Sequence, residues 1–259
     1  MSKGVRNLSE RERAGDREAP AELGAAGVGE HRFGAVLFDL DGVLVDSEPW
    51  WNDVRIEFAR AHARPWTDDD QRAVMGANSR QWAATMRRRL DLPRLTEDEV
   101  QDAVVGAMVE RYRTQQAPMI TGAAEAVRRI AGRWPVAIVS SGHRAVIDAA
   151  IAALDLGDVL HAVVSSDEVE HGKPAPDVYL RAAATLGVPA ARCLVVEDSV
   201  NGVAAGKAAG MYVVLVPIAS VPPPPEAWTL ADAVVDGLSS LDPATIGDAI
   251  AERRGSSEA

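Results

Sequence analysis

The sequence holds a single cysteine, Cys193, so no internal disulfide can form. Such a chain relies on its core alone and fits a reducing cytosol, and a cytoplasmic location is the expectation. Cys193 lies inside the apolar run CLVV and reads as a small core residue. No stretch is long and apolar enough to span a membrane as a helix. The opening segment, MSKGVRNLSERERAGDREAP, lacks the apolar stretch of a secretory signal. Positive charge is scarce too, with 27 Lys and Arg against 38 Asp and Glu, a net charge of −11. That balance argues against nucleic acid as a partner. An anionic ligand would need a local cluster of cations, or a metal ion, to offset the protein's own field.

The 259 residues are 47% hydrophobic, which allows one or two domains with a sizeable core. Residues 1–32 carry mixed charge and few large apolar side chains, so they read as a disordered leader. Residues 253–259 read as a disordered tail. Between them lie six short β-branched runs: GAVLF (34–38), PVAIVS (135–140), HAVVSS (161–166), CLVV (193–196), YVVLV (212–216) and DAVV (232–235). Each is apolar on both alternations, as strands covered on both faces are. Helical patterns over 145–154, 177–186 and 199–209 separate the later runs, with Ser199 as N-cap and Gly210 as the stop. This alternation predicts α/β architecture, a doubly wound parallel sheet.

The interval between the first two runs has no convincing strand. It offers helices at 50–62, 79–90 and 96–115, the last started by Thr96-Glu97-Asp98-Glu99 and carrying Val100, Val104, Met108 and Tyr112 on one stripe. Residues 49–118 therefore read as an α-helical cap domain inserted into a core formed by 33–48 and 119–252.

In an open α/β sheet, ligands bind beyond the carboxyl ends of the strands. The first run ends in Asp39 and Asp41, followed by Gly42. The second ends in Ser140, Ser141 and Gly142. Lys173 follows the third, inside HGKPAPD, and the fourth ends in Glu197 and Asp198. Clustered carboxylates repel unless a cation sits among them, and oxygen ligands of this kind suit Mg²⁺. A lysine gives phosphate oxygens a point charge, and hydroxyl and Gly-loop N–H groups add hydrogen bonds. An aspartate can attack phosphorus, while a second one protonates the leaving alcohol and later activates water.

FDLDGVLVDSEP resembles the first motif of the haloacid dehalogenase-like (HAD) hydrolases, a strand ending DxDG. AIVSSG is similar to the second motif, GKPAPDVY to the lysine motif and VVEDSVNGVAAGKAAGM to the acidic metal motif. The four occur in order, each just after a predicted strand, and span about Phe33 to Val235. The resemblance, strongest to the β-phosphoglucomutase-like phosphatases, implies a Rossmann-like core with an inserted helical cap. It implies Asp39 as nucleophile and Mg²⁺ ligand, and Asp41 as general acid/base whose carbonyl reaches the metal. It gives Ser140 and Lys173 to the transferring phosphoryl group, and Asp198 with Glu197 to the metal site. Gly42 to Glu48 would form a small flap.

Ser141 and Gly142 are candidate substrate contacts. Arg80, in GANSR of the cap, lies where this group often places a substrate residue; a solvated helix face is its alternative. His143 can touch substrate or start a helix. Trp50 and Trp51 read as cap packing rather than substrate stacking. The implied activity is Mg²⁺-dependent hydrolysis of a small phosphorylated metabolite, a phosphomonoester such as a sugar phosphate. One alternative is a β-phosphoglucomutase-type mutase, whose members often carry a cap-hinge His where SEPWWND places Trp51. Another is an idle binding protein on the same fold, though the nucleophile, acid/base and lysine are all present. The sequence leaves the oligomeric state open.

Overall fold

The computed structural model describes residues 32–255 of the chain. The expectations for residues 1–31 and 256–259 lie outside those described residues, whereas 253–255, expected in the tail, continue a helix that starts at Pro243.

The apolar runs form β1 (Ala35–Phe38), β2 (Val136–Ser140), β3 (Ala162–Ser165), β4 (Cys193–Glu197), β5 (Tyr212–Leu215) and β6 (Ala233–Val234). All pair in parallel, in the order β3-β2-β1-β4-β5-β6. The first strand to form in sequence is thus central, with chain winding away on both sides. Even-numbered β1 residues, Val36 and Phe38, pack on one face with Val136, Ile138, Leu194 and Val196. Odd-numbered Ala35 and Leu37 pack on the other with Ala137, Val139, Cys193 and Val195. Both faces of β1 are buried, which is why its sequence shows no polar alternation. Cys193 is a fully buried core residue.

Helices α6 (Arg144–Ala153), α7 (Asp177–Leu186), α8 (Val200–Ala208), α9 (Pro225–Leu230) and α10 (Pro243–Gly255) connect or follow the later strands. Before β2, the chain forms α1 (Glu48–Ala61), α2 (Asp68–Arg72), α3 (Ser79–Arg89), α4 (Glu97–Thr114) and α5 (Ala123–Ala131). Val100, Val104, Met108 and Tyr112 of α4 are all buried, along the predicted stripe. α4 packs against α1 and α3, and also against α6 of the sheet layer. The helix α5, which the sequence reading did not pick out, buries Ala123, Ala126, Val127 and Ile130 at helical spacing.

The cap is attached where its two connecting segments run side by side. Asp46 donates its N–H to the carbonyl of Pro118 at 2.8 Å, and Ile120 to that of Leu44 at 3.0 Å. The outgoing and returning chains therefore leave the core at one place, beside the carboxyl end of β1.

Within the cap, α2, α3 and α4 each begin with a capping box, from Thr67 and Asp70, Asn78 and Gln81, and Thr96 and Glu99. Each box satisfies N–H groups that the first helical turn leaves open. Thr96→Ala should lower the stability of the protein by about 1 kcal/mol, read from the urea denaturation midpoint; an unchanged midpoint would show that this box contributes nothing to α4.

Candidate active site

The polar residues expected at the sheet edge converge. β1 ends at Phe38, and Asp39 continues the ladder by donating its N–H to Val196 O at 3.0 Å. The chain then turns sharply, with the N–H groups of Leu44 and Val45 both on Leu40 O, at 2.8 and 3.1 Å. This turn is the predicted flap, and it is built on Gly42. Gly42 has φ +87°, and a Cβ there would sit 2.1 Å from Asp198 Oδ2. Only glycine fits both the left-handed backbone and the approach to that carboxylate.

Lys173 reaches into the site from the loop before α7 and is held at three points. Its Nζ donates to Asp39 Oδ1 at 2.6 Å, Glu197 Oε1 at 2.6 Å and Val139 O at 3.1 Å. An ammonium has three N–H donors, so all three are matched. Burial opposes the charge of Lys173, but Asp39 and Glu197 outweigh it and hold the ammonium well above its ordinary range.

Glu197 is fully buried. Its Oε1 also accepts from the Tyr179 hydroxyl at 2.7 Å. Its Oε2 accepts from the N–H groups of Asp198 and Ser199 at 3.1 and 3.2 Å, and from the Ser199 hydroxyl at 3.0 Å. Burial works against this carboxylate, yet Lys173 and these donors hold it below its ordinary range. Gly202, in the first turn of α8, leaves the room it needs, since a Cβ there would lie 1.7 Å from Glu197 Oε1.

The other two acids behave differently. Burial pushes Asp39 up to about 8, against the pull of Lys173 and with added repulsion from Glu197 and Asp41. Burial, then the charges of Glu197 and Asp39, push Asp198 well above its ordinary range. Asp39, Glu197 and Asp198 each bring a carboxylate oxygen within 4.8 Å of the others. A divalent cation among hard oxygens would relieve that crowding. Glu197 is the least available of the three, because both its oxygens already accept from protein donors.

Asp41 is raised by burial, although hydrogen bonds from Ser47 and Trp51 counter part of that. Its Oδ1 accepts from the Ser47 hydroxyl, and Ser140 Oγ lies 3.5 Å from its Oδ2. Ser140 is fully buried and accepts the Gly142 N–H at 2.9 Å. A cavity of about 210 Å³ opens over these groups, lined by Asp39, Asp41, Ser141, Gly142, Lys173 and Asp198, among others.

Arg80 does not join them. It is exposed on α3, absent from the cavity lining, and its charge acts on Asp167. His143 caps α6, its Nδ1 accepting the Ala145 N–H at 3.2 Å. The sequence reading missed Tyr179, which backs Glu197, and several cap-side residues that line the cavity, among them Glu48, Trp51, Arg55 and Trp82. Glu48, Trp51 and Arg55 fall at i, i+3 and i+7 of α1, a helical face the pattern could have revealed. Trp51 was expected only to pack.

Comparison with known proteins agrees with this geometry. Residues 33–210 match the family model of the haloacid dehalogenase-like hydrolases. The bifunctional riboflavin kinase/FMN phosphatase of Arabidopsis thaliana is 32% identical over 218 residues, 80% of this chain but 54% of that protein. The chain therefore spans about half the length of that relative. Hexitol phosphatase B of Escherichia coli K12 is 30% identical over 219 residues, covering 80% of this chain and 93% of that one. The crystal structure of CbbY from Rhodobacter sphaeroides in complex with phosphate superposes with a TM-score of 0.74 at 22% identity, over 83% of this chain and 99% of that chain. That likeness shows a shared fold, while the family match spans the segment that holds Asp39, Asp41, Ser140, Lys173 and Asp198. The ordered motifs, the parallel sheet with its inserted cap and the acid–lysine cluster at the sheet edge have one common source: this chain belongs to the haloacid dehalogenase-like hydrolases.

Proposed function

We propose that the protein is a Mg²⁺-dependent phosphatase that hydrolyses a small phosphomonoester, in the sugar phosphate class, through a phosphorylated Asp39. The observation that carries this reading is a pair of buried acids with different direct hydrogen-bond partners. Asp39 has the Lys173 ammonium at 2.6 Å, whereas Asp41 is raised by burial and faces only hydroxyl and indole donors on its own carboxylate. Two carboxyls in one cleft with different environments are suited to different tasks.

Asp39, which must be ionised by Lys173 and a bound cation to act, attacks phosphorus, while Asp41 in its acid form gives its proton to the departing alcohol. Asp41, now ionised, then takes a proton from the water that attacks phospho-Asp39, and phosphate leaves. Lys173, Ser140 and the Ser141–Gly142 loop receive the phosphoryl oxygens. Asp39 and Asp198, with the carbonyl of Asp41 and Glu197 beside them, would hold Mg²⁺, and Glu197 orients Lys173. The bound ion would supply charge neutralisation at the phosphoryl oxygens. The relative named as a hexitol phosphatase supports a sugar-like substrate. The mutase alternative loses support because Trp51 stands in place of the hinge His and bonds Asp41.

Phosphate release from phosphomonoesters with Mg²⁺, and its loss after chelation, tests the proposal. Asp39→Asn should lower kcat by at least about 10⁴-fold, and Asp41→Asn by about 10²–10⁴-fold. Near-normal kcat in the Asp39 variant would refute the assignment.

A second expectation concerns pH. A carboxyl whose folded pKa is raised favours the fold fully below its ordinary value of 3.8 and loses that advantage as pH rises through about 8. Metal-free protein should therefore lose stability across this window. Mg²⁺ binds the ionised form, so the Mg²⁺-induced rise in Tm should be larger at pH 8 than at pH 5. Thermal melts with Mg²⁺ and with chelator read this directly, and equal shifts at both values would contradict a metal held by these acids.

A further inference from the structure

The cavity has a second polar end, on α1 rather than at the sheet. Arg55 is 4% exposed, and its Nε and Nη1 have no hydrogen-bond partner. The nearest carboxylate oxygen, Glu48 Oε1, lies 3.8 Å from Nη1, beyond hydrogen-bond distance. The guanidinium is held over the indoles of Trp51 and Trp82, 5.2 and 5.9 Å from their centroids. Burial brings Arg55 down to about 10, with Glu48 acting against the fall, so it stays cationic at neutral pH. Buried charged donors left open are costly, and packing against two indoles does not fill them.

Glu48 is fixed beside it. Its Oε1 accepts from Gln71 Nε2 at 2.5 Å, and Gln71 is in turn held by the Trp66 indole N–H at 3.0 Å. Arg55, Glu48, Trp51 and Trp82 line the same cavity as Asp39 and Lys173. A ligand whose phosphate rests at Asp39 would therefore have the unpartnered Arg55 guanidinium, the fixed Glu48 carboxylate and the two indoles along the rest of the cavity wall.

Charge selects among such ligands. The cavity wall carries Asp39, Asp41, Asp46, Glu48 and Asp198 against Lys173 and Arg55. A second phosphate or a carboxylate at the cap end would face Glu48 and Asp46 with one guanidinium to hold it. A hydroxyl group carries both a donor and an acceptor. Neighbouring hydroxyls can accept from Arg55 and donate to Glu48 while the carbon skeleton lies against the indoles.

We propose that Arg55 and Glu48 form a subsite that reads the hydroxyls of a neutral polyol leaving group, selecting polyol and sugar monophosphates over bisphosphates. The inference rests on the phosphatase reading and specifies its substrate class.

The test compares wild type, Arg55→Gln and Glu48→Gln with Mg²⁺ on glucitol 6-phosphate, fructose 1,6-bisphosphate and p-nitrophenyl phosphate, with folding checked by circular dichroism. Wild type should prefer glucitol 6-phosphate to the bisphosphate. In both variants the ratio of kcat/KM for glucitol 6-phosphate to that for p-nitrophenyl phosphate should fall, by about 10–100-fold for Arg55→Gln. If Arg55→Gln does not fold, Glu48→Gln decides. An unchanged ratio in folded variants would reduce Arg55 to cap packing and overturn the subsite while leaving the phosphatase reading intact. A wild-type preference for the bisphosphate, improved by Glu48→Gln and lost in Arg55→Gln, would make this a second anion site and overturn the polyol assignment. No phosphate from any of the three with wild type would overturn the phosphatase reading and the subsite with it.

Discussion

The ammonium of Lys173 between two buried carboxylates is the interaction on which the site depends. It is 2.6 Å from both Asp39 and Glu197. Without it, two acids would be buried side by side with no counter-charge, which a fold tolerates only by neutralising one of them. The chain has three lysines, Lys3, Lys173 and Lys207, and otherwise uses arginine for positive charge. A compact ammonium with three donors fits two carboxylates and one carbonyl, where a planar guanidinium fork would not.

That ion cluster ties the four strand-end motifs together physically. Val139 O comes from β2, Asp39 from the end of β1, Glu197 from β4, and Tyr179 from α7. Glu197 and Asp198 are adjacent in sequence yet face different work. One turns inward, saturated by Lys173, Tyr179 and the α8 N-terminus, and the other turns toward the Gly42 flap. Two glycines make this possible, since a methyl group at Gly42 or Gly202 would overlap Asp198 or Glu197. The same acids stay at odds with one another, and a hard divalent cation among them would relieve that repulsion.

Much of this was legible in the sequence because strand ends deliver side chains to one edge regardless of what lies between. The six strands, the parallel pairing and the convergence of Asp39, Asp41, Ser140, Lys173, Glu197 and Asp198 follow from short apolar runs, of which the first four stop at polar residues. The helices α2 and α9 are short, and α2 buries nothing, so neither leaves a periodic trace. The cap end of the cavity was hidden for another reason. An arginine on a helix normally points to solvent, and nothing in DVRIEF announces that Arg55 is buried against Trp51 and Trp82. Arg80 shows the converse: a basic residue at a promising loop–helix junction that the fold turns outward. Inserted helices place side chains by tertiary packing, so their contributions emerge only once α1 and α3 are set over the sheet edge.

The central claim is that Asp39 carries the phosphoryl group during turnover, and a single-turnover quench tests it most directly. Protein with Mg²⁺ would be mixed with less than one equivalent of phosphomonoester, stopped in acid at successive times and digested for mass spectrometry. A phosphoryl group should accumulate on Asp39 as substrate disappears, and decay as free phosphate appears at the same rate. Phosphate released at the steady-state rate with no transient phosphorylation of Asp39, or with the label on another residue, would contradict it.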